Sequence, residues 1–82
     1  MELLTVTKAT YVRDYTLRLT FSNGEERSVN LSEKLDKPIF KALKNKTYFK
    51  SFRLNPFTIE WDNGADFSPE YLYNLSDQVV TA

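Results

Sequence analysis

Residues 58–73 constrain the fold of this chain most, because they combine signals for a strand, a tight turn and a helix start. Ile59 and Trp61 alternate with polar residues, and this period of two predicts a short strand with one apolar face. The pair Asn63-Gly64 follows directly, and both residues tolerate the positive φ that a tight turn requires. The sequence therefore predicts a sharp reversal of the chain after this strand.

A helix start follows the predicted turn. Ser68 has the hydroxyl group of an N-cap, and Pro69 occupies the first helical position, where no amide hydrogen is needed. Glu70 places negative charge at the positive end of the helix dipole. Phe67 and Leu72 have the spacing of a hydrophobic staple. A structural role is the first interpretation of the corner residues, which are Trp61, Asn63, Gly64, Ser68, Pro69 and Leu72.

Four further segments have strand patterns. β-branched residues dominate residues 3–11, which predicts a first strand. The clearest period of two runs through residues 15–31 around a central Asn-Gly turn, and it predicts a hairpin. Residues 52–54 predict one more short strand, which precedes the strand at 58–62.

A helical pattern separates the hairpin from the later strands. Asp36 is the expected N-cap, and Pro38 suits the first turn of a helix. Ile39, Phe40 and Leu43 then fall on one side of a helix of two or three turns, which predicts that this side is buried.

The predicted order is therefore β-β-β-α-β-β-α, with short connections. Tight turns between neighbouring strands favour antiparallel pairing. We expect an α+β fold in which a mostly antiparallel sheet of about five short strands has a short helix packed on one face. The 82 residues are enough for one domain, spanning 1–82.

The charged residues are divided unevenly along the chain, although the formal net charge is zero. Residues 31–55 hold seven cations and two carboxylates, whereas residues 56–82 hold five carboxylates and no cation. Lys37, Lys41 and Lys44 lie on one face of the predicted helix. This lysine face is either simply solvated or a docking surface for an acidic partner. The division also predicts that two copies can pair opposite charges, so we expect a homodimer.

The sequence excludes several classes of chemistry. It has no histidine and no cysteine, so the usual nucleophile–base pairs and the common zinc sites cannot be built. The nearby carboxylates Glu60, Asp62 and Asp66 leave a carboxylate-dependent hydrolase open as an alternative. Their spacing matches no calcium loop, and no glycine-rich phosphate loop is present. We therefore predict no catalytic, cofactor-binding or metal-binding residues, and no enzyme activity.

Three stretches of the chain together resemble a known family. They are YTLRLTFSNGEERSVNLSE at 15–33, PIFKALKNKTYFKSFRL at 38–54 and IEWDNGADFSPEYLY at 59–73. The order and spacing of these stretches are similar to those of the domain of unknown function 2442 family (DUF2442), a group of small bacterial and phage-type proteins. The resemblance covers nearly the whole chain.

The resemblance implies an α+β fold and supplies no catalytic residues. Some members of that family occur in toxin–antitoxin-like gene pairs, and some are fused to helix-turn-helix domains. The leading hypothesis is therefore a small interaction or regulatory module, the antitoxin-like or adaptor half of a bacterial gene pair, whose partner is the product of an adjacent gene. The candidate interaction surface comprises Lys37, Lys41, Lys44, Glu60, Asp62 and Asp66.

Composition also bears on the alternative functions and on the location of the protein. A small ligand-binding protein or carboxylate-dependent hydrolase is the alternative, and a nucleic-acid-binding accessory domain is a weaker one. A sequence pI near 6.2 argues against nucleic acid, for which a basic domain is expected. The absence of cysteine fits a reducing cytoplasm, and no apolar run reaches the roughly 20 residues of a membrane span.

Overall fold

The chain folds around a four-stranded antiparallel sheet. The computed structural model describes residues 3–78. The strands of this sheet are β1 (Val6–Arg13), β2 (Thr16–Phe21), β3 (Glu26–Asn30) and β6 (Asp77–Gln78). The long β1 forms one edge of the sheet and the two-residue β6 forms the other.

The first hairpin confirms the strongest strand prediction. β2 pairs with β3 in a regular register, in which Leu17 lies opposite Val29. Gly24, in the connecting turn, has a φ of +88°, a conformation that glycine adopts at no steric cost. The alternating residues Leu17, Leu19 and Phe21 are buried, as the period of two predicted.

The second half of the chain consists of short elements that cover the inner face of the sheet. The elements are 3₁₀ helices at Ser32–Lys34 and Pro38–Lys44, then α1 (Lys46–Phe49), β4 (Arg53–Leu54), β5 (Ile59–Glu60) and α2 (Pro69–Leu75). β4 and β5 form a separate two-stranded antiparallel sheet. The α+β class and the predicted order of elements are confirmed, with β6 as one additional strand.

The observed central helix differs from the predicted one in its type and in its N-cap residue. Pro38–Lys44 is a 3₁₀ helix whose N-cap is the extended Lys37, with no side-chain cap, so the prediction of Asp36 as N-cap was wrong. A 3₁₀ helix has three residues per turn, so Phe40 and Leu43 share its inner side. Ile39 is consequently turned outward and is 47% exposed, which corrects the prediction that it is buried.

Trp61 lies at the centre of the core, as the strand pattern predicted. Its side chain is fully buried and packs at ring-centroid distances of 5.8 Å from Phe49 and 6.4 Å from Phe52. The apolar side chains of β2, Leu72 of α2 and the later segments all join this one cluster. Among residues 3–78, no helix has the length and apolarity needed to cross a bilayer.

Candidate functional site

The predicted corner is held by its own hydrogen bonds. Ser68 is the N-cap of α2, as predicted, and its hydroxyl oxygen accepts from the Tyr71 amide at 3.2 Å. Gly64 has a φ of +89°, and the Asn63 side-chain oxygen accepts from the Ala65 amide at 3.0 Å. The Asn63 side chain also donates to the Ile39 carbonyl oxygen at 3.0 Å. The corner is therefore tied to the 3₁₀ helix.

A cleft of about 420 Å³ lies between the 3₁₀ segments and the start of α2. One wall is formed by residues 33–40 and the other by residues 66–71. We call it the aromatic cleft. Its lining residues are Glu33, Lys34, Asp36, Lys37, Phe40, Asp66, Phe67, Ser68 and Tyr71.

Three parallel aromatic rings line this cleft. The rings of Phe40 and Phe67 are stacked at a centroid distance of 4.6 Å, and those of Phe67 and Tyr71 at 5.8 Å, with 10° between the planes in both pairs. Phe67 is only 5% exposed and meets the edge of Trp61 at 6.0 Å, so the core supports it. Tyr71 is 43% exposed and lines the cleft, so part of its side chain is accessible there.

The lining of the aromatic cleft includes one residue from each of the two charged groups that were predicted from the sequence. Lys37 belongs to the predicted lysine face and Asp66 to the predicted acidic cluster, and both line the cleft. Lys34 adds a second cation to its border. A ligand in the cleft would therefore meet apolar rings beneath it and charges of both signs around it.

The other predicted surface residues lie outside the aromatic cleft. Lys41 is exposed and lines none of its wall. Lys44 forms an exposed ion pair with Asp36 at 3.7 Å, and Asp62 forms one with Arg53 at 3.1 Å. Exposed pairs of this kind are worth only about 0–1 kcal/mol.

The three carboxylates considered for catalysis do not form one site. Glu60 is half-buried in β5 and its backbone bridges to that of Asp66, which lines the aromatic cleft. Asp62 is exposed and is held by Arg53. Across residues 3–78, no three acidic, histidine or cysteine side chains gather in a way that could hold a metal ion.

A polar cluster connects α2 to the first hairpin, and it consists of Glu25, Arg27, Tyr73 and Ser76. The Tyr73 hydroxyl donates to the Glu25 carboxylate, and the Arg27 guanidinium lies 3.1 Å from Glu25 and 4.3 Å from the centre of the Tyr73 ring. Arg27 also donates to the Ser76 hydroxyl at 2.6 Å and to its carbonyl at 2.9 Å. These contacts fix the end of α2 on β3.

Hydrogen bonding shifts the acid–base properties of this cluster. The hydrogen bond from Tyr73 lowers the pKa of Glu25, with Arg27 acting in the same direction. The same hydrogen bond raises the pKa of Tyr73, because the phenol is held in its protonated form. The charges of the cluster are mutually satisfied, so we assign it a structural role.

The aromatic cleft was not predicted from the sequence. Phe67 and Tyr71 are four residues apart, a spacing that brings two side chains together at a helix start, and this signal was available. Phe40 comes from a distant segment, and only the fold brings its ring onto Phe67.

Comparison with known proteins gives one match. The model of the family described as "Protein of unknown function (DUF2442)" matches residues 6–78. No curated protein and no solved structure matches the chain.

Proposed function

This chain belongs to the DUF2442 family, and from that premise and its geometry we propose that it acts as a small protein-interaction module. In this proposal it is the antitoxin-like or adaptor half of a bacterial gene pair. It acts in the cytoplasm, and its partner is the product of an adjacent gene. A homodimer is part of the same proposal.

The aromatic cleft is the observation that carries this proposal. Interfaces draw most of their binding energy from a few aromatic and arginine anchors, and the charged border around them sets specificity. Here Tyr71 is exposed beside the buried Phe67, so a partner side chain can add to an existing stack without rearranging the core. Lys37 and Asp66 at the border supply charges for orientation.

The arrangement of carboxylates supports an interaction module over a hydrolase. A glycosidase needs two carboxyl groups held on either side of one bond, with one of them kept protonated. Glu60 and Asp66 are instead partners in a backbone bridge, so their side chains project side by side, and Asp62 is exposed and paired with Arg53.

Small-molecule binding is a second candidate function, and the same cleft favours it. A volume of about 420 Å³ lies within the usual range for ligand sites, roughly 300–1,000 Å³. A planar aromatic ligand could lie against the face of Tyr71. Binding of nucleic acid through the lysine face has less support, because Lys44 is paired with Asp36 and Lys37 shares the cleft with Asp66.

Affinity capture from the source cell, with matched variants, tests the proposal. The test variant is Tyr71→Ala, which removes the exposed ring of the stack. The control is Phe57→Ala, because Phe57 is also an exposed aromatic residue, at 57%, and lies outside the aromatic cleft. Both variants should remain folded, which circular dichroism verifies.

The proposal expects a protein that is captured by the wild type and by Phe57→Ala but lost with Tyr71→Ala. Capture that is unchanged in Tyr71→Ala would contradict the role of the cleft. A captured small molecule in place of a protein would support the second candidate.

A further inference from the structure

The edge strand β1 is a second surface with unused binding groups. It is eight residues long, and within residues 3–78 its one sheet neighbour is β2, although β4 also lies close to it. The Val6 amide donates to the Phe57 carbonyl at 2.9 Å, on the side of β1 away from β2. Within residues 3–78, no other backbone hydrogen bond joins residues 7–13 to anything beyond β2. An edge of this kind can pair with another strand.

The outer face beside this edge carries three cations. In the register of β1 with β2, Lys8 lies opposite Thr20, Arg18 opposite Thr10, and Arg13 opposite Thr16. Ala9 and Tyr11 of β1 lie opposite the buried Leu19 and Leu17, whereas the partners of the three cations alternate with these buried residues, so the three cations share the outer face. In the described part of the chain, none of these three cations forms an ion pair.

Lys8 and Arg18 also line a shallow groove on this face. The groove has a volume of about 420 Å³, and Thr10, Val12 and Glu26 contribute to its walls. Glu26 lies two strands from the edge, in the same row as Lys8 and Thr20. Strands are about 4.8 Å apart, so Glu26 is roughly 10 Å from Lys8 and leaves the edge basic.

The cationic side chains of β1 disfavour pairing of this strand with β1 of a second copy. In the antiparallel register that centres two copies of β1 on each other, Lys8 of one would lie beside Arg13 of the other, and like charges directly opposite are destabilising. The same cations would favour a strand with carboxylates at these positions.

We propose that the free edge of β1 binds an acidic extended polypeptide segment by strand addition. The segment pairs its backbone with residues 7–13 and places its carboxylates near Lys8, Arg13 and Arg18. Main-chain hydrogen bonds supply affinity in this mode, and alternate side chains supply specificity. A nucleic acid fits less well, because a phosphate backbone has no amide–carbonyl ladder to pair with the strand. This proposal is independent of the aromatic cleft.

Titration with designed peptides, followed by amide NMR and hydrogen exchange, tests the inference. The probe is an end-blocked heptapeptide of alternating glutamate and valine. Comparison probes are the same peptide with lysine for glutamate, the acidic peptide N-methylated on alternate amides, and a single-stranded oligothymidylate. N-methylation removes the strand hydrogen bonds and keeps the charge, so it separates strand addition from simple charge attraction.

We expect only the unmethylated acidic peptide to shift the amides of residues 7–13 and to slow exchange at alternate ones. The double variant Lys8→Glu/Arg18→Glu should weaken binding about tenfold or more, because two favourable charge pairs become repulsive. Lys41→Glu, a reversal of an exposed lysine away from β1, should bind as the wild type does. Thermal unfolding of each variant verifies that it is folded.

Several results would overturn the inference. Equal binding of the methylated peptide would show charge attraction without strand addition. Binding of the lysine peptide, or tighter binding of the oligothymidylate, would identify a different partner chemistry. Exchange protection of β1 that grows with protein concentration alone would identify a second copy as the occupant. No binding by any probe at millimolar concentration would also reject it.

Discussion

The indole nitrogen of Trp61 donates a hydrogen bond to the carbonyl oxygen of Phe49 at 2.9 Å, inside the core. This bond joins the segment after β5 to the end of α1, two elements too short to be stable alone. Both side chains are fully buried, and their ring centroids lie 5.8 Å apart. Trp61 therefore contributes a large apolar surface and also satisfies a buried polar group.

Truncation of Trp61 should destabilise the fold severely. We expect Trp61→Ala to lower the free energy of unfolding by about 3–5 kcal/mol, the usual cost of a large cavity. Trp61→Phe keeps a ring but leaves the Phe49 carbonyl without its donor, which should cost about 1–3 kcal/mol. Urea unfolding measures both, with Phe57→Ala as the exposed control. An unchanged midpoint for Trp61→Ala would contradict its place in the core.

The Glu25–Tyr73 hydrogen bond should make stability depend on pH at both ends of the range. The pKa of Glu25 is lowered, so its contribution is present above the ordinary value of 4.5 and is lost as pH falls through the folded value. The pKa of Tyr73 is raised, so its contribution is present below the ordinary value of 10.0 and is lost as pH rises through the folded value.

Comparison of the wild type with Tyr73→Phe isolates this effect. The variant keeps the ring under the Arg27 guanidinium and removes only the hydroxyl donor. We expect the wild type to be more stable between about pH 4.5 and 10, and the difference to shrink at both extremes. A difference that is constant from pH 3 to 11 would show that the hydrogen bond to Glu25 does not cause it.

Gly64 should be required for its conformation and not for its small size. Its φ is +89°, and among residues 3–78 no atom outside the glycine and its two chain neighbours lies within 4 Å of the position that a Cβ would take. Gly64→Ala should therefore cost about 1–2 kcal/mol from backbone strain alone. Gly24 has the same φ sign and equally open surroundings, so Gly24→Ala should cost a similar amount. A much larger loss of stability in Gly64→Ala than in Gly24→Ala would indicate that the substitution also disturbs contacts of the corner.

Local rules explain why the hairpin and the corner could be predicted. The turn glycines, the Ser68 cap and the period of two in β2 all act within a few residues, so the sequence contains their causes. The type of the central helix could not be predicted from local sequence in the same way. The choice between a 3₁₀ helix and an α-helix depends on how Phe40 and Leu43 meet the core, and that contact comes from distant residues.

The sites depend even more on long-range contacts. The aromatic cleft needs Phe40 to meet Phe67 across 27 positions, and no periodicity encodes such a stack. The division of charge between residues 31–55 and 56–82 was visible in the sequence. Whether these two segments contact each other in the folded chain was not. The Arg53–Asp62 pair at 3.1 Å shows that the basic and acidic segments contact each other within one chain.

The homodimer prediction can be tested by light scattering at low and high salt. Pairing of charged surfaces between copies should weaken as salt screens it, so a dimer that dissociates with salt would agree with that route. A salt-insensitive dimer would point to apolar contacts such as those of Phe57. A monomer under both conditions at high protein concentration would contradict the prediction, and neutralisation within the chain would then explain the charge division.

Photocrosslinking in the source cell can show whether a protein partner occupies the aromatic cleft. A photoreactive benzoylphenylalanine replaces Tyr71 in one variant and Phe57 in the other, since both positions are exposed. We expect a discrete crosslinked protein from position 71 and none of the same size from position 57. A crosslinked product from position 57 alone, or none from either position, would contradict it.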